Sequence, residues 1–534
     1  MEGTVDEWVP GYEKEMKEVG EKRFEEVTDE RERQAVLRSG VAMRLRMILE
    51  RKRDGRRKGR LVGQGFLQPE WMTRGKEDLP VASGMSIKAL FFGAAGCIAD
   101  DIIGAIDVST AFLQAKAYSG EEVNRYATFR EYKGGPLRVY RLLGPLYGQR
   151  DAPRRWFETI KEGLEGISLD PLEGIGFVPA PTDPCALYNP MTGVRIALVV
   201  DDCLVRGKKE EVEKVMHAIG DPIEGMFTCT EPKYLTIDNP IDFVGFRLSM
   251  TQEEDGVGYW MDQEGDVDQF MPVIDHGIDI NLEVPVECPM PNKGAMFRDE
   301  TVLAGDEKTT CRSIIGGLSW FATSLRWDIQ HATSRLQMKS HNPTVSCMSE
   351  AMRVIAYVYH TKGFKLGGVR TQENTFAYYS DSDFAGDREM TKASRSGVVL
   401  MLNGVPVHWV SKPQPKTVYS PAAAEIYALR EATREGQALT WTCRDLGFTG
   451  ITLPFLLQVD NQQAISFQQD TCVRTKHKGV IDMAESWVAE LKSGRLVTTD
   501  YIATDKNSAD IFTKCLDRRT FQERMRLFGQ RYTR

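Results

Sequence analysis

The stretch RIALVVDDCLV, residues 195–205, places two adjacent aspartates, Asp201 and Asp202, inside an otherwise apolar run. An ionised carboxylate is costly in such surroundings unless it is paired or bound to a metal ion. The run predicts a strand that reverses at the two aspartates in a tight hairpin turn. This hairpin is therefore a candidate site for chemistry, and it anchors our interpretation of the rest of the chain.

A third isolated acid, Asp107, lies within another apolar stretch, IIGAIDVSTAFL at residues 102–113. Taken alone, Asp107 is equally well explained as a residue at the end of a strand. On a strand next to the hairpin, however, it would converge with Asp201 and Asp202. Three carboxylates offer the oxygen ligands that Mg²⁺ requires, and two such ions stabilise the attacking and leaving oxygens of an in-line phosphoryl displacement. The pattern indicates polymerase chemistry.

Composition bounds the class of protein. A chain of 534 residues predicts two to four domains, and its 42% hydrophobic and 27% charged content is ordinary for globular proteins. It contains no apolar run long enough to span a bilayer and no signal-peptide stretch at the start. The ten cysteines form no CxxC pair, which predicts a reducing, intracellular setting. The net charge of -8 argues against a simple nucleic-acid clamp, but it is compatible with a local basic groove.

A basic block precedes the strand RLVGQGF at residues 60–66. A solvated helix face would explain the charges alone. Cations on a strand beside a glycine-containing turn are better explained by phosphate binding than by solvation alone. The block comprises Arg44, Arg46, Arg51, Lys52, Arg53, Arg56, Arg57, Lys58 and Arg60.

Five segments carry a family resemblance. They are KGRLVGQGFLQ (58–68), AIDVSTAFLQ (105–114), RLLGPLYGQRDAPRRWF (141–157), LVVDDCLV (198–205) and FVGFRL (243–248). Copia-type reverse transcriptases typically show KARLVAKGF, DVKTAFL, SLYGLKQAPR, YVDD and FLGI in the same order. The chain thus resembles the reverse transcriptase region of a copia-type LTR retrotransposon Pol polyprotein.

The resemblance implies roles for individual residues. Asp107, Asp201 and Asp202 become the metal-binding carboxylates, and Lys58 or Arg60 becomes the cation that faces the nucleotide triphosphate. The chain departs from the family at Val200, where Tyr is usual, and at residues 149–151, where Gln-Arg-Asp replaces Leu-Lys-Gln. The segment beside the incoming nucleotide corresponds to Leu146, Tyr147, Gly148, Ala152, Pro153 and Arg154.

Phe112 corresponds to the aromatic ring beneath the incoming sugar, although a plain core position is the alternative. A regular strand would place Asp107 and Phe112 on opposite faces. We therefore expect the chain to leave the sheet at Ser109–Thr110.

A second set of segments resembles the ribonuclease H region of the same polyproteins. The chain has YSDSDFAGD (379–387), PAAAEIYALREA (421–432), DNQQAI (460–465), RTKH (474–477) and ADIFTK (509–514). The family shows YSDADWAGD, STEAEYVALSEA, DNQSAI, RTKH and ADILTK. Between the two regions, CRSIIGGLSWFATSLRWDIQHATSRL (311–336) resembles the family's YRSAVGSLMYLATTRPDIAYAVSRL and implies a structural thumb or connection.

This second resemblance implies another metal site. Taken singly, each of its acids is more often a helix cap or a strand end, and a carboxylate at the start of a helix is also favoured by the dipole. Asp383 is the alternative to Asp381, and Ala423 replaces a family Glu that we do not expect to bind metal. His477 is a candidate to assist product departure or proton transfer, with a satisfied surface histidine as the alternative. The implied metal ligands are Asp381, Glu425, Asp460 and Asp510.

The resulting fold prediction is a multidomain α+β and α/β chain. It comprises a charged helical lead-in (1–43), reverse-transcriptase fingers and palm (44–250), a helical thumb or connection (251–370) and a ribonuclease H-like mixed-sheet domain (371–534). We expect polar loops and short strands over 252–305, a seam over 363–374, and independent folding of the last domain.

The functional prediction is an RNA-directed DNA polymerase with ribonuclease H activity, using two Mg²⁺ or Mn²⁺ ions at each site. The implied partners are an RNA template, a DNA primer, the RNA–DNA hybrid, deoxynucleoside triphosphates and other parts of the Pol or Gag polyprotein, with no membrane. The implied location is a cytoplasmic virus-like particle with passage to the nucleus. The alternative is a degenerate or host-retained copy that only binds nucleic acid or serves assembly. No protease, integrase or nucleocapsid motif is visible, which is expected of a processed product, a truncated element or a fragment of a gene.

Overall fold

The computed structural model describes residues 5–51, 55–68, 80–94, 100–120, 125–132, 134–167, 176–270, 283–290, 299–386, 393–415, 418, 420–469, 488 and 490–529. Within these ranges the strands form four sheets. Of the helices described, none has both the length and the apolar character needed to cross a bilayer.

Within the described residues the chain has twenty strands. In order they are β1 (Phe24–Glu26), β2 (Met43–Arg51), β3 (Arg57–Gly63), β4 (Asp101–Asp107), β5 (Tyr126–Phe129), β6 (Arg138–Leu142), β7 (Val178–Ala180), β8 (Asp183–Tyr188), β9 (Arg195–Val199), β10 (Asp202–Lys208), β11 (Lys233–Tyr234), β12 (Ile241–Phe243), β13 (Phe246–Glu253), β14 (Gly256–Asp262), β15 (Lys365–Val369), β16 (Phe376–Asp383), β17 (Arg395–Leu402), β18 (Val405–Pro413), β19 (Phe455–Val459) and β20 (Val497–Tyr501).

Several helices begin at a residue whose side chain accepts a hydrogen bond from the first turn, as N-cap residues do. These caps include Asp29, Ser83, Thr344, Ser420 and Asp517. In chain order the helices are α1 (Val5–Lys22), α2 (Glu30–Ser39), α3 (Gly84–Phe92), α4 (Ala152–Glu165), α5 (Lys209–Gly220), α6 (Glu264–Phe270), α7 (Gly305–Ser324), α8 (Gln330–Lys339), α9 (Val345–His360), α10 (Pro421–Asp445), α11 (Gln462–Gln469) and α12 (Arg518–Arg526).

Two sheets make up the first half of the chain. One has the order β1-β6-β5-β2-β3, with α1 packed on β3, and it holds the described part of the basic block. The other has the order β11-β4-β10-β9-β8-β7 and is antiparallel throughout. The predicted hairpin is confirmed: β9 and β10 are joined by the two residues Val200 and Asp201.

A four-stranded sheet and three helices follow. The sheet order is β12-β13-β14-β15, and α7, α8 and α9 pack on one another. The expected boundary at residue 250 falls inside β13, just as the boundary at residue 43 falls at the start of β2. The expected seam over 363–374 contains β15, a strand paired with β14. Local polarity did not reveal this strand because its partner lies about a hundred residues earlier.

The last sheet has the order β18-β17-β16-β19-β20, antiparallel at first and parallel from β16 to β20. Strand β17 is buried along its whole length. Helix α10 packs on β16 and β17, and residues 508–512 also contact these two strands. A strand covered on both faces reads as a continuous apolar run rather than an alternating one, as GVVLML does here.

The C-terminal part packs against the rest of the chain, and its independent folding stays a prediction. One continuous apolar core runs from Ala82 to Phe528. The buried Arg195 guanidinium on β9 donates to the carbonyls of Leu446 (2.7 Å) and Gly447 (2.9 Å). An isolated 371–534 fragment would expose this apolar surface to water.

The helical connection shares the same core. Trp327 is 1% exposed and stacks on Phe528 with ring centroids 3.8 Å apart. Its indole also meets Phe364 and Phe512. The connection is therefore held to the C-terminal residues by aromatic packing.

We predict that Trp327→Ala lowers the free energy of unfolding by about 3–5 kcal/mol, the usual cost of emptying a buried aromatic position. Trp441→Ala, at a residue 38% exposed, should cost about 1 kcal/mol or less. Urea unfolding monitored by circular dichroism measures both. Equal costs for the two variants would contradict the packing described.

Candidate active sites

The first site lies where β4 and β10 end side by side. In the antiparallel pairing of these strands, Asp107 is directly opposite Asp202. Both side chains therefore lie on the same face of the sheet. Asp201 occupies the turn just before Asp202. The structure thus brings the three predicted acids to one edge of the sheet.

The turn that carries Asp201 is held from outside the hairpin. The Trp156 indole donates to the Val200 carbonyl at 2.6 Å, and the Val108 amide donates to the Asp201 carbonyl at 2.8 Å. Val200 has a φ of 57°, a conformation that disfavours a β-branched residue and costs on the order of 1–3 kcal/mol. These two hydrogen bonds hold a strained turn in place.

The pKa values show how poorly solvated these acids are. Burial, together with the neighbouring charges of Asp201 and Asp107, raises the pKa of Asp202 to about 7. Burial also raises the pKa of Asp201, while Arg60 and Lys58 act in the opposite direction. Lys58 and Arg60 therefore lie within electrostatic range of the acid pair, where a polyanionic ligand would gain from them.

Phe112 lies beside the acids on a short 3-10 turn, Ala111–Gln114. The chain leaves the sheet after Asp107 and bends at Ser109 and Thr110, as predicted. The half-buried Phe112 ring meets the Tyr147 ring with centroids 5.3 Å apart. Arg60 lies over Tyr147 at 6.0 Å. A cation and two aromatic rings thus line one side of the acid cluster.

Gly148 joins the first sheet to this site. Its φ is +80°, and an added Cβ would meet the Gly63 carbonyl oxygen at 2.3 Å. The Gly63 amide donates to the Tyr147 carbonyl at 2.7 Å, and the Gly65 amide donates to that of Gly148 at 3.1 Å. Because both the conformation and the close approach require glycine, Gly148 fixes the distance between β3 and Tyr147.

The departures from the family at residues 149–151 have a structural explanation. Gln149 is buried, and its Oε1 accepts from the Leu146 amide (2.8 Å) and the Tyr118 hydroxyl (3.0 Å). Asp151 accepts from Arg125 and Arg155, each at 2.8 Å. Burial alone would raise the pKa of Asp151, but these hydrogen bonds hold it below its ordinary value. Gln149 and Asp151 therefore form an internal polar network.

The second site lies on the C-terminal sheet. Asp381 is on the central strand β16, Glu425 on α10, and Asp460 directly after β19. One oxygen of each lies within 4.8 Å of the others, and across the described ranges this is the only group of three or more acidic, His or Cys ligands so close together. The acids of the first site are thus less tightly gathered.

Two of these carboxylates are almost fully buried. Asp381 is 1% exposed and Glu425 is 6% exposed. Burial, together with like charges nearby, raises the pKa of Asp381 to about 7 and that of Glu425 to about 9. Glu425 Oε2 is buried without a hydrogen-bond partner. An orphaned oxygen among three acids fits a bound cation.

Asp510 is near this group but outside the three-acid set. Its carboxylate pairs with Lys514 and with Arg524, the latter at 3.0 Å. Lys514 also lies 3.3 Å from Asp381. Burial would lower the pKa of Lys514, but Asp381 and Asp510 raise it well above its ordinary value. The Lys514 ammonium group thus links Asp510 to Asp381.

The remaining sequence candidates have different outcomes. Asp383 is half-buried at the end of β16, and the three-acid set contains Asp381 instead. His477 lies outside the described residues, so its assignment stays a prediction. Ala423 lies in the first turn of α10 and packs against the apolar cluster that contains Val418 and Tyr427.

Sequence reasoning assigned Tyr147 only to the segment beside the incoming nucleotide and gave Lys514 no role. Both belong to segments that carried the resemblance, yet neither is an acid in an apolar run, which was the signal used to find the sites. Thr513, which donates to Asp381, was missed for the same reason. A search for polar residues adjacent to the predicted ligands would have found all three.

Comparison with known proteins gives consistent matches. Residues 35–251 match the family described as reverse transcriptase (RNA-dependent DNA polymerase). The chain is 24% identical to the retrovirus-related Pol polyprotein from transposon TNT 1-94 of Nicotiana tabacum, covering 91% of this chain and 35% of that protein. It is 26% identical to the Pol polyprotein from transposon RE1 of Arabidopsis thaliana, covering 88% and 30%.

A yeast relative and one solved structure extend these matches. The transposon Ty1-NL1 Gag-Pol polyprotein of Saccharomyces cerevisiae is 23% identical, covering 89% of this chain and 26% of that protein. The chain thus spans about a third or less of the length of these curated relatives. The structure of LC11-RNase H1 in complex with an RNA/DNA hybrid aligns at 18% identity over 26% of this chain and 91% of that chain, with a TM-score of 0.20.

The buried acids predict a pH dependence of stability without metal. Because the folded-state pKa of Glu425 is raised from 4.5 to about 9, its contribution to stability is complete below about pH 4.5 and is lost as the pH rises through 9. Glu425→Gln should flatten the decline in melting temperature between pH 5 and 9, measured in EDTA.

Glu431→Gln is the matched control on the same helix. Glu431 is also buried but pairs with Lys412 and Arg434, so removing its charge should not flatten the profile. A Glu425→Gln profile as steep as that of the wild type would show that this carboxylate is not destabilised by burial.

Proposed function

We propose that this chain, which belongs to the copia-type retrotransposon Pol polyproteins, copies RNA into DNA at the first acidic site and cleaves the RNA strand of the hybrid at the second. The observation that carries the proposal is the pair of separate carboxylate clusters, each at the ends of buried strands. Such clusters are costly in a folded chain unless cations bind them.

The first cluster suits nucleotidyl transfer. Asp107 and Asp202 leave one face of the sheet, while Arg60 and Lys58 supply positive charge beside Asp201. A triphosphate could thus be held between cations on β3 and acids on β4 and β10. Phosphoryl transfer needs mainly positioning and charge from the protein, and these elements are rigid.

The second cluster suits hydrolysis of a nucleic-acid strand. Asp381, Glu425 and Asp460 are close enough to share one ion, and Asp510 completes the four acids of the family motif. Lys514 would have to leave Asp510 or Asp381 for a second ion to bind both. Glu425, with its unpartnered oxygen, is positioned to receive an ion without breaking an existing contact.

Mg²⁺ or Mn²⁺, two per site, would supply charge stabilisation for the attacking and leaving oxygens. Asp107, Asp201 and Asp202 would hold the ions of the first site. Asp381, Glu425, Asp460 and Asp510 would hold those of the second. The chain's own part is to orient these oxygens, to neutralise phosphate through Arg60, and to exclude water by burial.

In the terms used for polymerases, the sheet of β2, β3, β5 and β6 is the proposed fingers, and the sheet of β4, β9 and β10 the proposed palm. Helices α7, α8 and α9 are the proposed thumb or connection. The domain limits we propose remain 1–43, 44–250, 251–370 and 371–534. The limits at residues 43 and 250 fall within strands, and each of these strands belongs as a whole to a single domain.

The proposed partners follow from this activity. They are an RNA template, a DNA primer, their hybrid, deoxynucleoside triphosphates and other parts of the Pol or Gag polyprotein, within a cytoplasmic particle whose product passes to the nucleus. A copying enzyme must accept any sequence, so contacts to the hybrid should go to the backbone and its shape.

A binding-only role for a degenerate copy is the competing proposal. All seven predicted acids are present, and among the described residues only Asp381 and Asp510 of the seven form a salt bridge with a lysine or arginine. A chain released from catalysis would gain stability by replacing such buried acids. Their retention favours the catalytic proposal.

We predict that single changes separate the two activities. Asp201→Asn should lower primer extension on an RNA template at least about 100-fold, the scale of losing one electrostatic element of an active site, and leave hybrid cleavage intact. Asp460→Asn should do the reverse. Gel-based extension and cleavage assays in Mg²⁺ measure both.

Two exposed aspartates serve as controls, Asp242→Asn for the first site and Asp500→Asn for the second. Neither should change either rate. A folded Asp201→Asn protein that extends primers at the wild-type rate would refute the first assignment. Joint loss of both activities in each variant would refute two independent sites.

Sugar selection gives a further prediction. If the Phe112 ring lies against the ribose, a 2′-hydroxyl would collide with it, whereas a hydrogen would not. Phe112→Val should therefore raise ribonucleotide insertion relative to deoxynucleotide insertion at least about tenfold, which corresponds to about 1.4 kcal/mol of discrimination. Single-nucleotide extension with both sugars measures it, and unchanged selectivity would make Phe112 a core residue only.

A further inference from the structure

Arg23 is a buried cation in the segment that the sequence suggested was only a charged lead-in. It lies between α1 and β1 and is 6% exposed. Among the residues described, no carboxylate pairs with it, and its Nε is buried without a partner. Burial lowers its pKa. A guanidinium in this setting is costly for the fold, so its contacts need an explanation.

Those contacts converge on one short piece of backbone. Arg23 Nη2 donates to the carbonyls of Leu113 and Ala115, the latter at 2.8 Å. These carbonyls flank the end of the 3-10 turn that carries Phe112. The two acceptors lie about ninety residues away in sequence, so Arg23 ties the N-terminal segment directly to this turn.

The surroundings keep Arg23 in a single position. Its own carbonyl accepts from the Leu143 amide at 2.8 Å. An added Cβ at Gly144 would lie 2.1 Å from Arg23 Nη1, so glycine is needed there for the guanidinium to pass. The Leu143 carbonyl in turn accepts from the Tyr118 amide at 2.9 Å, just beyond the turn. The chain on both sides of the guanidinium is thus fixed.

The turn that carries Phe112 is held at both of its ends, and the Gln114 side chain contributes by donating to the carbonyls of Ser109 (2.5 Å) and Thr228 (2.9 Å). The Phe112 ring is half-buried and leans on Tyr147, and the turn begins at Thr110 with a φ of 52°. At the far end, the turn is held by the Arg23 hydrogen bonds to Leu113 and Ala115. A shift of those carbonyls would displace the turn that carries the Phe112 ring.

We propose that Arg23 is a positioning residue for sugar selection: by holding the carbonyls of Leu113 and Ala115 it sets the Phe112 ring at the height that excludes a 2′-hydroxyl. This inference rests on the proposed polymerase function. It gives the N-terminal segment a part in substrate specificity, exerted through the backbone and without contact to the nucleotide.

The test compares insertion of one deoxynucleotide with one ribonucleotide by the full chain. Arg23→Gln removes the positive charge and shortens the side chain. It should raise ribonucleotide insertion relative to deoxynucleotide insertion about threefold or more. Arg23→Lys, which keeps a charged donor, should give an intermediate value. In a Phe112→Val background neither change should alter selectivity further, because both act through the same ring.

Arg195→Gln is the matched control, since Arg195 is also buried and donates only to carbonyls, those of Gly193, Leu446 and Gly447. It should lower the melting temperature without changing selectivity. Wild-type selectivity in a folded Arg23→Gln or Arg23→Lys protein, or an effect that persists without Phe112, would overturn the proposal. Failure of the wild-type chain to extend a primer with deoxynucleotides would instead refute the polymerase function itself.

Discussion

The pairing of β4 with β10 is the constraint on which the first half of the protein depends. Its register sets Asp107 opposite Asp202, and a slip of one residue would send one of them to the other face of the sheet. The pairing also brings Asp101 at the far end to the buried Arg206, at 2.8 Å. Residues at both ends of the β4–β10 pair thus define its register, and the helices pack around this sheet.

Clusters of acids at the ends of buried strands occur twice along the chain. In each half, acids at the ends of buried strands meet acids from a neighbouring element, and burial raises their pKa values. The two halves differ in what compensates the charge. Cations on β3 lie near the first cluster, whereas Lys514 lies inside the second. A shared apolar core packs the two halves against each other.

Much of this could be predicted from the sequence, because its signals were local. The hairpin at Asp201, the bend after Asp107 and the strand and helix order of the C-terminal part all follow from short patterns of apolar and polar residues. The contacts of Arg23 with Leu113 and of Arg195 with Leu446, and the pairing of β15 with β14, could not be predicted. Each joins residues about ninety to 250 positions apart, and no local pattern encodes such a partner.

We propose that both acidic clusters bind divalent cations. Anomalous diffraction from crystals soaked in Mn²⁺ tests it most directly, because it locates the ions without requiring activity. The account predicts Mn²⁺ peaks between Asp107 and Asp202 and among Asp381, Glu425 and Asp460, with displacement of Lys514 if a second ion binds Asp510. A saturating soak that leaves both clusters without a peak would contradict it.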